Sequence, residues 1–132
     1  MNVLVLDING YSPNGFHFLD TKPNIIMDGF FTKLVYVDAN FTMNSVFIRC
    51  TKIQRDDRKE TKYMILQIEK ELLFQYMQRK QVQKKAIRKI EAHLLSGKVK
   101  VDDCQKMILK ISGIWETEAE YGLTYKFFPI LN

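Results

Sequence analysis

Hydrophobic positions change their spacing twice along this 132-residue chain, and the two changes divide it into three parts. Up to about residue 53 they come in short clusters or alternate with polar residues, which is the mark of strands. Val3-Leu4-Val5-Leu6 is a short apolar run ending at Asp7, Asn9 and Gly10, so it predicts a buried strand closed by a turn. Residues 10–24 hold Pro13 and Pro23 around Phe16-His17-Phe18 and read as a loop. Residues 30–37 and 41–53 are rich in β-branched and aromatic side chains. The turn signal Asp38-Ala39-Asn40 lies between them, so the pair predicts a hairpin. In its second arm Val46, Ile48 and Cys50 alternate with Phe47, Arg49 and Thr51. One face is small and apolar; the other carries an aromatic and a cation.

From about Thr61 to Ser96 the spacing becomes helical. Ile65, Ile68, Leu72, Tyr76, Ile87, Ile90 and Leu94 follow a 3.6-residue stripe, with Gly97 where a C-terminal cap belongs. Tyr63-Met64-Ile65-Leu66 also suits a strand end, and a break near residues 78–81 would give two helices. The stripe favours one long helix, straight or bent. Residues 107–115 and 123–130 return to strand composition around the acidic turn 116–122, a second hairpin. The order β-β-β-α-β-β predicts an α+β domain spanning residues 1–132. About five strands would form an antiparallel sheet or small OB-like barrel, with one amphipathic basic helix packed on it.

Composition supports a folded chain: 46% of residues are hydrophobic and 12% aromatic, enough for a core. The start has no basic region before its apolar run, so a signal peptide is not expected. No apolar stretch reaches the roughly 20 residues a membrane span needs, so the expectation is a soluble intracellular protein. Cys50 and Cys104 are distant and lack CxxC or paired-histidine spacing, which predicts free buried thiols rather than a disulfide or zinc site. Trp115 reads as a core anchor.

Charge adds what the hydrophobic pattern cannot. Residues 49–100 contain 15 Lys/Arg and 6 Asp/Glu, whereas the flanking segments are each slightly acidic. The whole excess of +5 therefore belongs to one block. On the predicted helix Lys80, Lys84 and Arg88 recur every four residues, with Lys85 and Lys89 further round, opposite Ala86, Ile87, Ile90 and Leu94. No acid lies between Gln78 and Ile90. Like charges at this spacing repel, and an anionic partner would offset that repulsion; a plainly solvated face is the competing reading. Aromatics beside cations on the hairpins suit single-stranded nucleic acid, where rings stack bases and cations track phosphates. Phe47 with Arg49, Tyr125 with Lys126, and Phe31 and Tyr36 around Lys33 have that mixture, although strand aromatics commonly serve the core.

Catalytic patterns are weaker. Asp7 at a strand end could hold a divalent metal, but Glu69, Asp102 and Asp103 match no nuclease spacing. His17 and His93 have no paired nucleophile at a telling spacing, and there is no Gly-rich phosphate loop. No cofactor, metal or catalytic residue is expected. Asp56-Asp57 among Arg55, Arg58 and Lys59 reads as an exposed charged connection, or as a further phosphate contact.

Residues 108–117 (ILKISGIWET), closing on residues 121–127 (YGLTYKF), together with Phe30-Phe31-Thr32-Lys33-Leu34 and Asn40-Phe41-Thr42-Met43-Asn44, resemble small proteins of large DNA viruses. That resemblance implies a single-stranded nucleic-acid-binding or virion-associated protein and carries no site residues. The residues themselves lead to the same first expectation, a non-enzymatic binder of single-stranded DNA or RNA with little sequence preference. Arg49, Lys52, Arg55 and Arg58 would contact phosphates from one side. Lys80, Lys84, Lys85, Arg88 and Lys89 would do so from the helix, while Phe47, Tyr125 and Lys126 would hold bases on the hairpins. The alternatives are an assembly subunit, homo-oligomeric or facing an acidic protein, and more distantly a metal-dependent nuclease.

Overall fold

The computed structural model describes residues 5–8, 10–26, 28–50, 58–96 and 106–130. Along the chain come β1 (Leu6–Asp7), β2 (Phe16–Asn24), β3 (Gly29–Val37), β4 (Thr42–Asn44), β5 (Val46–Cys50) and α1 (Arg58–Lys80). They are followed by β6 (Lys85–Ile87), α2 (Lys89–Ser96), β7 (Lys106–Glu116) and β8 (Glu120–Ile130). The class is α+β as expected, but the sheet is an open, mixed, eight-stranded one rather than a five-stranded antiparallel sheet or barrel. β1 runs parallel to β5, and β6 parallel to β8.

β7 is the central strand, and its length explains why. One edge pairs with β5 along Met107–Ile111 and then with β3 along Gly113–Glu116; the other edge pairs with β8 throughout. The change of partner coincides with a bulge at Ser112. Gly113 follows because β3 comes too close there for a side chain: a Cβ would lie 2.1 Å from the Thr32 carbonyl oxygen. The first predicted hairpin is correspondingly modified. β3 pairs with β4 for only three residues, and Ser45 then takes a left-handed conformation (φ 60°) that sends β5 on to β7. The second hairpin forms as expected and is longer than its sequence signal.

Residues 16–24 form a strand, not part of a loop. Pro23 is accommodated because β2 pairs only with β3, leaving its other edge open, where a missing N–H is harmless. The turn after β1 is present, closed by Gly10 N–H donating to the Asp7 carbonyl at 2.9 Å.

The predicted continuous helix is two helices separated by a strand. At the end of α1, Gln81 adopts φ 54° and Val82 N–H donates to the Met77 carbonyl (3.1 Å), the 6→1 bond of a Schellman cap. A glutamine fills the position that glycine usually takes, so no glycine or proline marked the stop. The start of α2 is capped from outside. Both oxygens of buried Glu69 on α1 accept N–H groups, from Ile90 (2.8 Å) and Glu91 (2.9 Å). Burial raises the Glu69 carboxyl above its usual range, and these two N–H bonds oppose the rise.

The core lies between the helices and one sheet face. Ile65, Ile68, Leu72 and Tyr76 of α1 and Ile90 and Leu94 of α2 pack with Val46, Ile48, Leu109, Ile111 and Leu123. Cys50 is buried among them, and burial pushes its thiol up to about 12; Cys104 lies outside the described residues. Trp115 is buried too, its ring lying across Gly122, where a Cβ would come within 2.6 Å of it.

Candidate nucleic-acid interface

Period-2 alternation in β5, β7 and β8 sends one set of side chains to the helices and the other away from them. The inward set is apolar apart from Glu116 and the tyrosine hydroxyls. The outward set pairs across three strands in two rows: Phe47, Lys110 and Lys126 in one, Arg49, Ile108 and Phe128 in the next. Adjacent strands stand about 4.8 Å apart, so each row crosses roughly 10 Å of surface. Lys110 Nζ sits 5.6 Å from the centre of the Phe47 ring, and Lys126 Nζ 4.9 Å from that of Phe128. Three cations and two aromatic rings thus occupy six neighbouring positions without an acid among them. Among the described residues the acid in contact is Asp7 of β1, 4.0 Å from Arg49 in an exposed pair worth little in water.

This arrangement can grip a single strand. An ammonium over a ring face at an exposed site gains about 0.5–1 kcal/mol, less than the 1–3 kcal/mol of a stacked base. A base can therefore displace the lysine tip, which remains within reach of the adjoining phosphate. β3 extends the same face with Phe31 and exposed Lys33, since Phe31 pairs with Trp115 and Lys33 with Gly113. Tyr36, expected beside them, is in the core.

Of the residues expected from sequence, the structure brings Phe47, Arg49 and Lys126 together. Lys110 and Phe128 complete the group. The signal for both was the alternation of Ile108 and Lys110 with Leu109, and of Lys126 and Phe128 with Phe127, the same pattern that identified Phe47 and Arg49. Tyr125 points to the other side, under α2, where its hydroxyl hydrogen-bonds with His93 Nδ1 and donates to the Lys89 carbonyl (3.4 Å). Burial and the nearby Glu69 raise it to about 12. Lys52 and Arg55 lie outside the described residues, and Arg58 begins α1.

The helix cations do not form the expected continuous face, because the helix ends at Lys80. Arg79 donates to the Phe16 carbonyl and Lys80 Nζ to the Leu19 carbonyl (2.9 Å), tying α1 to β2. Gln75 Nε2 adds a bond to the Pro13 carbonyl at 3.0 Å. Lys84 Nζ reaches the largely buried Glu116 carboxylate at 2.8 Å, and the same carboxylate accepts the Tyr76 hydroxyl. Thr32 completes this network with a 2.9 Å hydrogen bond to the Tyr76 hydroxyl. Arg88 pairs with Glu91 at 3.0 Å, and Lys89 Nζ stands 4.7 Å from the Trp115 ring centre. Lys85 is exposed on β6.

Among the described residues no group of three His, Cys, Asp or Glu side chains converges as metal ligands would, and Glu69 has both oxygens engaged at α2. Asp102 and Asp103 lie outside the described residues. No described helix is long and apolar enough to cross a membrane. Searches against protein-family models, curated proteins and solved structures return no match to this chain, so the sheet face and its register are what bear on function.

Proposed function

We propose that this protein binds single-stranded nucleic acid, without catalysis and with little sequence preference, on the outward face of β5, β7 and β8. The observation that carries the reading is the cross-strand row Phe47–Lys110–Lys126, flanked by Arg49 and Phe128, with Asp7 of β1 as the acid at its edge beside Arg49. Stacking is indifferent to base identity because every base has a π-face, and lysines recognise phosphate as a point charge. Neutralising about three phosphates gives a slope of about −2 for log affinity against log salt. Affinity then falls roughly 20-fold between 50 and 200 mM salt.

Fluorescence anisotropy with labelled 20-mers of single-stranded DNA, single-stranded RNA and duplex tests this. Single strands should bind at low salt, and Phe47→Ala and Lys110→Ala should each weaken them at least fivefold. Absence of binding to any oligonucleotide, or binding that ignores both substitutions, would sink the proposal.

A second reading, an assembly subunit, is favoured by the outer face of α1. Tyr63 and Phe74 are both exposed and lie three turns apart on that face. Sedimentation that gives a monomer at high concentration removes this reading.

A further inference from the structure

Two strand irregularities meet at one place on the outward face. Ser45 holds its left-handed conformation at the β4–β5 corner, and the β7 bulge leaves Ser112 outside the ladder. Between them and β3 lies a cleft of about 260 Å³, lined by Lys33, Asn44, Ser45, Ser112 and Phe31 among others, with no acid in its wall. Bulges and left-handed non-glycine residues re-aim side chains and collect at binding sites. Here they direct two serines and an asparagine toward a cleft that also holds a lysine. Lys33 makes no ion pair among the described residues. The Ser45 N–H is used within the fold, donating to the Leu34 carbonyl, so its hydroxyl is the donor available to a ligand.

The small cleft adjoins a larger cavity of about 780 Å³, which shares Leu19, Phe31 and Lys33 with it. That cavity adds Pro23, Ile25 and Ile26, the last two almost fully exposed at the β2–β3 tip, and one pair of opposite charges, Lys22 and Asp20. A small acid-free cleft with a lysine and two serines, beside a larger and mainly apolar cavity with an aromatic wall, suits a ligand with an anionic head and a flat ring body.

We infer that this double cavity is a nucleotide subsite, with the phosphate held by Lys33, Ser45 and Ser112 and the base lying against Phe31 in the larger cavity. The ligand class rests on the nucleic-acid reading above. The shared chemistry is a nucleoside 5′-phosphate, either free or at the end of a strand.

Amide chemical-shift titration of isotopically labelled protein tests it with a nucleoside 5′-monophosphate, the nucleoside alone and inorganic phosphate. The monophosphate should shift Phe31, Ser45 and Ser112 saturably. The nucleoside should bind at least tenfold more weakly, and phosphate alone should move Ser45 and Ser112 but not Phe31. Lys33→Ala, at an exposed position, should weaken the monophosphate at least tenfold and leave the nucleoside unchanged; Ser112→Ala should act in the same direction. A monophosphate that leaves these amides still, or binds equally well to Lys33→Ala, overturns the subsite. A 5′-phosphate that strengthens binding of a tetranucleotide, with the gain lost in Lys33→Ala, assigns the site to a strand end. No gain, with the monophosphate still bound, assigns it to a free nucleotide. Oligonucleotides that depend on Phe47 and Lys110 while the monophosphate fails would remove the subsite alone. The reverse pattern would remove the sheet-face reading and keep the subsite.

Discussion

The two cation-rich regions of this molecule differ in what their charges are doing. Downstream of Gln78 the sequence is densest in lysine and arginine, yet Arg79, Lys80, Lys84 and Arg88 are tied to carbonyl oxygens or carboxylates of the same chain. On the outward sheet face the cations are fewer and spread over three strands, and among the described residues Lys110 and Lys126 lie over aromatic rings. Charge density along a chain is therefore a poor guide to charge available to a partner. Topology decides which cations are already engaged.

The sharpest way to break this contrast is to remove the partner on one side and the cation on the other. Glu116→Ala leaves Lys84 and the Tyr76 hydroxyl without their shared carboxylate. The cost should be about 3 kcal/mol, the usual loss when one member of a largely buried pair is deleted. Lys110→Ala should change stability by no more than about 1 kcal/mol, the value of its contact with the Phe47 ring, while weakening oligonucleotide binding. Denaturant unfolding and anisotropy on both variants check the pair. Equal losses of stability would erase the distinction.

β5 offers the same comparison within one strand, between exposed Arg49 and buried Cys50. The Cys50 thiol is raised from 9.0 to about 12 by burial. Below pH 9 both folded and unfolded chains keep it protonated and nothing is lost. Between pH 9 and about 12 only the unfolded chain releases the proton, so stability falls as pH rises, by up to about 1.4 kcal/mol per pH unit. Unfolding of a Cys104→Ser protein at pH 8.5 and 10, against the same protein carrying Cys50→Ala, isolates this loss. In the native state at pH 8 the thiol should also resist Ellman's reagent, reacting only on unfolding.

The smallest expected effect is at the helix end that separates the two cation groups. Gln81→Gly removes a side chain from a left-handed position and should stabilise the protein by roughly 0.5–1 kcal/mol. A loss of stability instead would mean that the Gln81 side chain, and not the backbone turn, sets the path of Lys84.

Local periodicity made much of this legible. Alternation in residues 46–50 correctly separated core from surface, and residues 107–115 were legible as a strand. The helical stripe located residues 61–80, and Trp115 is buried as its size suggests. What escaped was long-range. The stripe lacks apolar residues between Tyr76 and Ile87, which was the available sign that the helix stops. With glutamine at the cap, nothing local confirmed it. Pro23 argued for a loop because a single sequence does not reveal that its strand lies at an edge. The jump of β5 from β3 to β7 depends on Ser45, a residue that carries no turn signal. At the candidate interface, Phe47, Arg49 and Lys126 were visible from their own strands. Their registration with Lys110 and Phe128 is a property of the sheet and is not written in either hairpin alone.

β7 imposes an order on events during synthesis. β3 and β5 are never ladder partners, and both are held by opposite halves of that one late strand. A ribosome that has released only the first hundred residues has therefore made nearly every core side chain of α1 and β5 without the strand that closes over them. The apolar faces must wait, exposed, until β7 emerges. The first moments of this protein's life are thus its most vulnerable ones to capture by a chaperone or by another nascent chain.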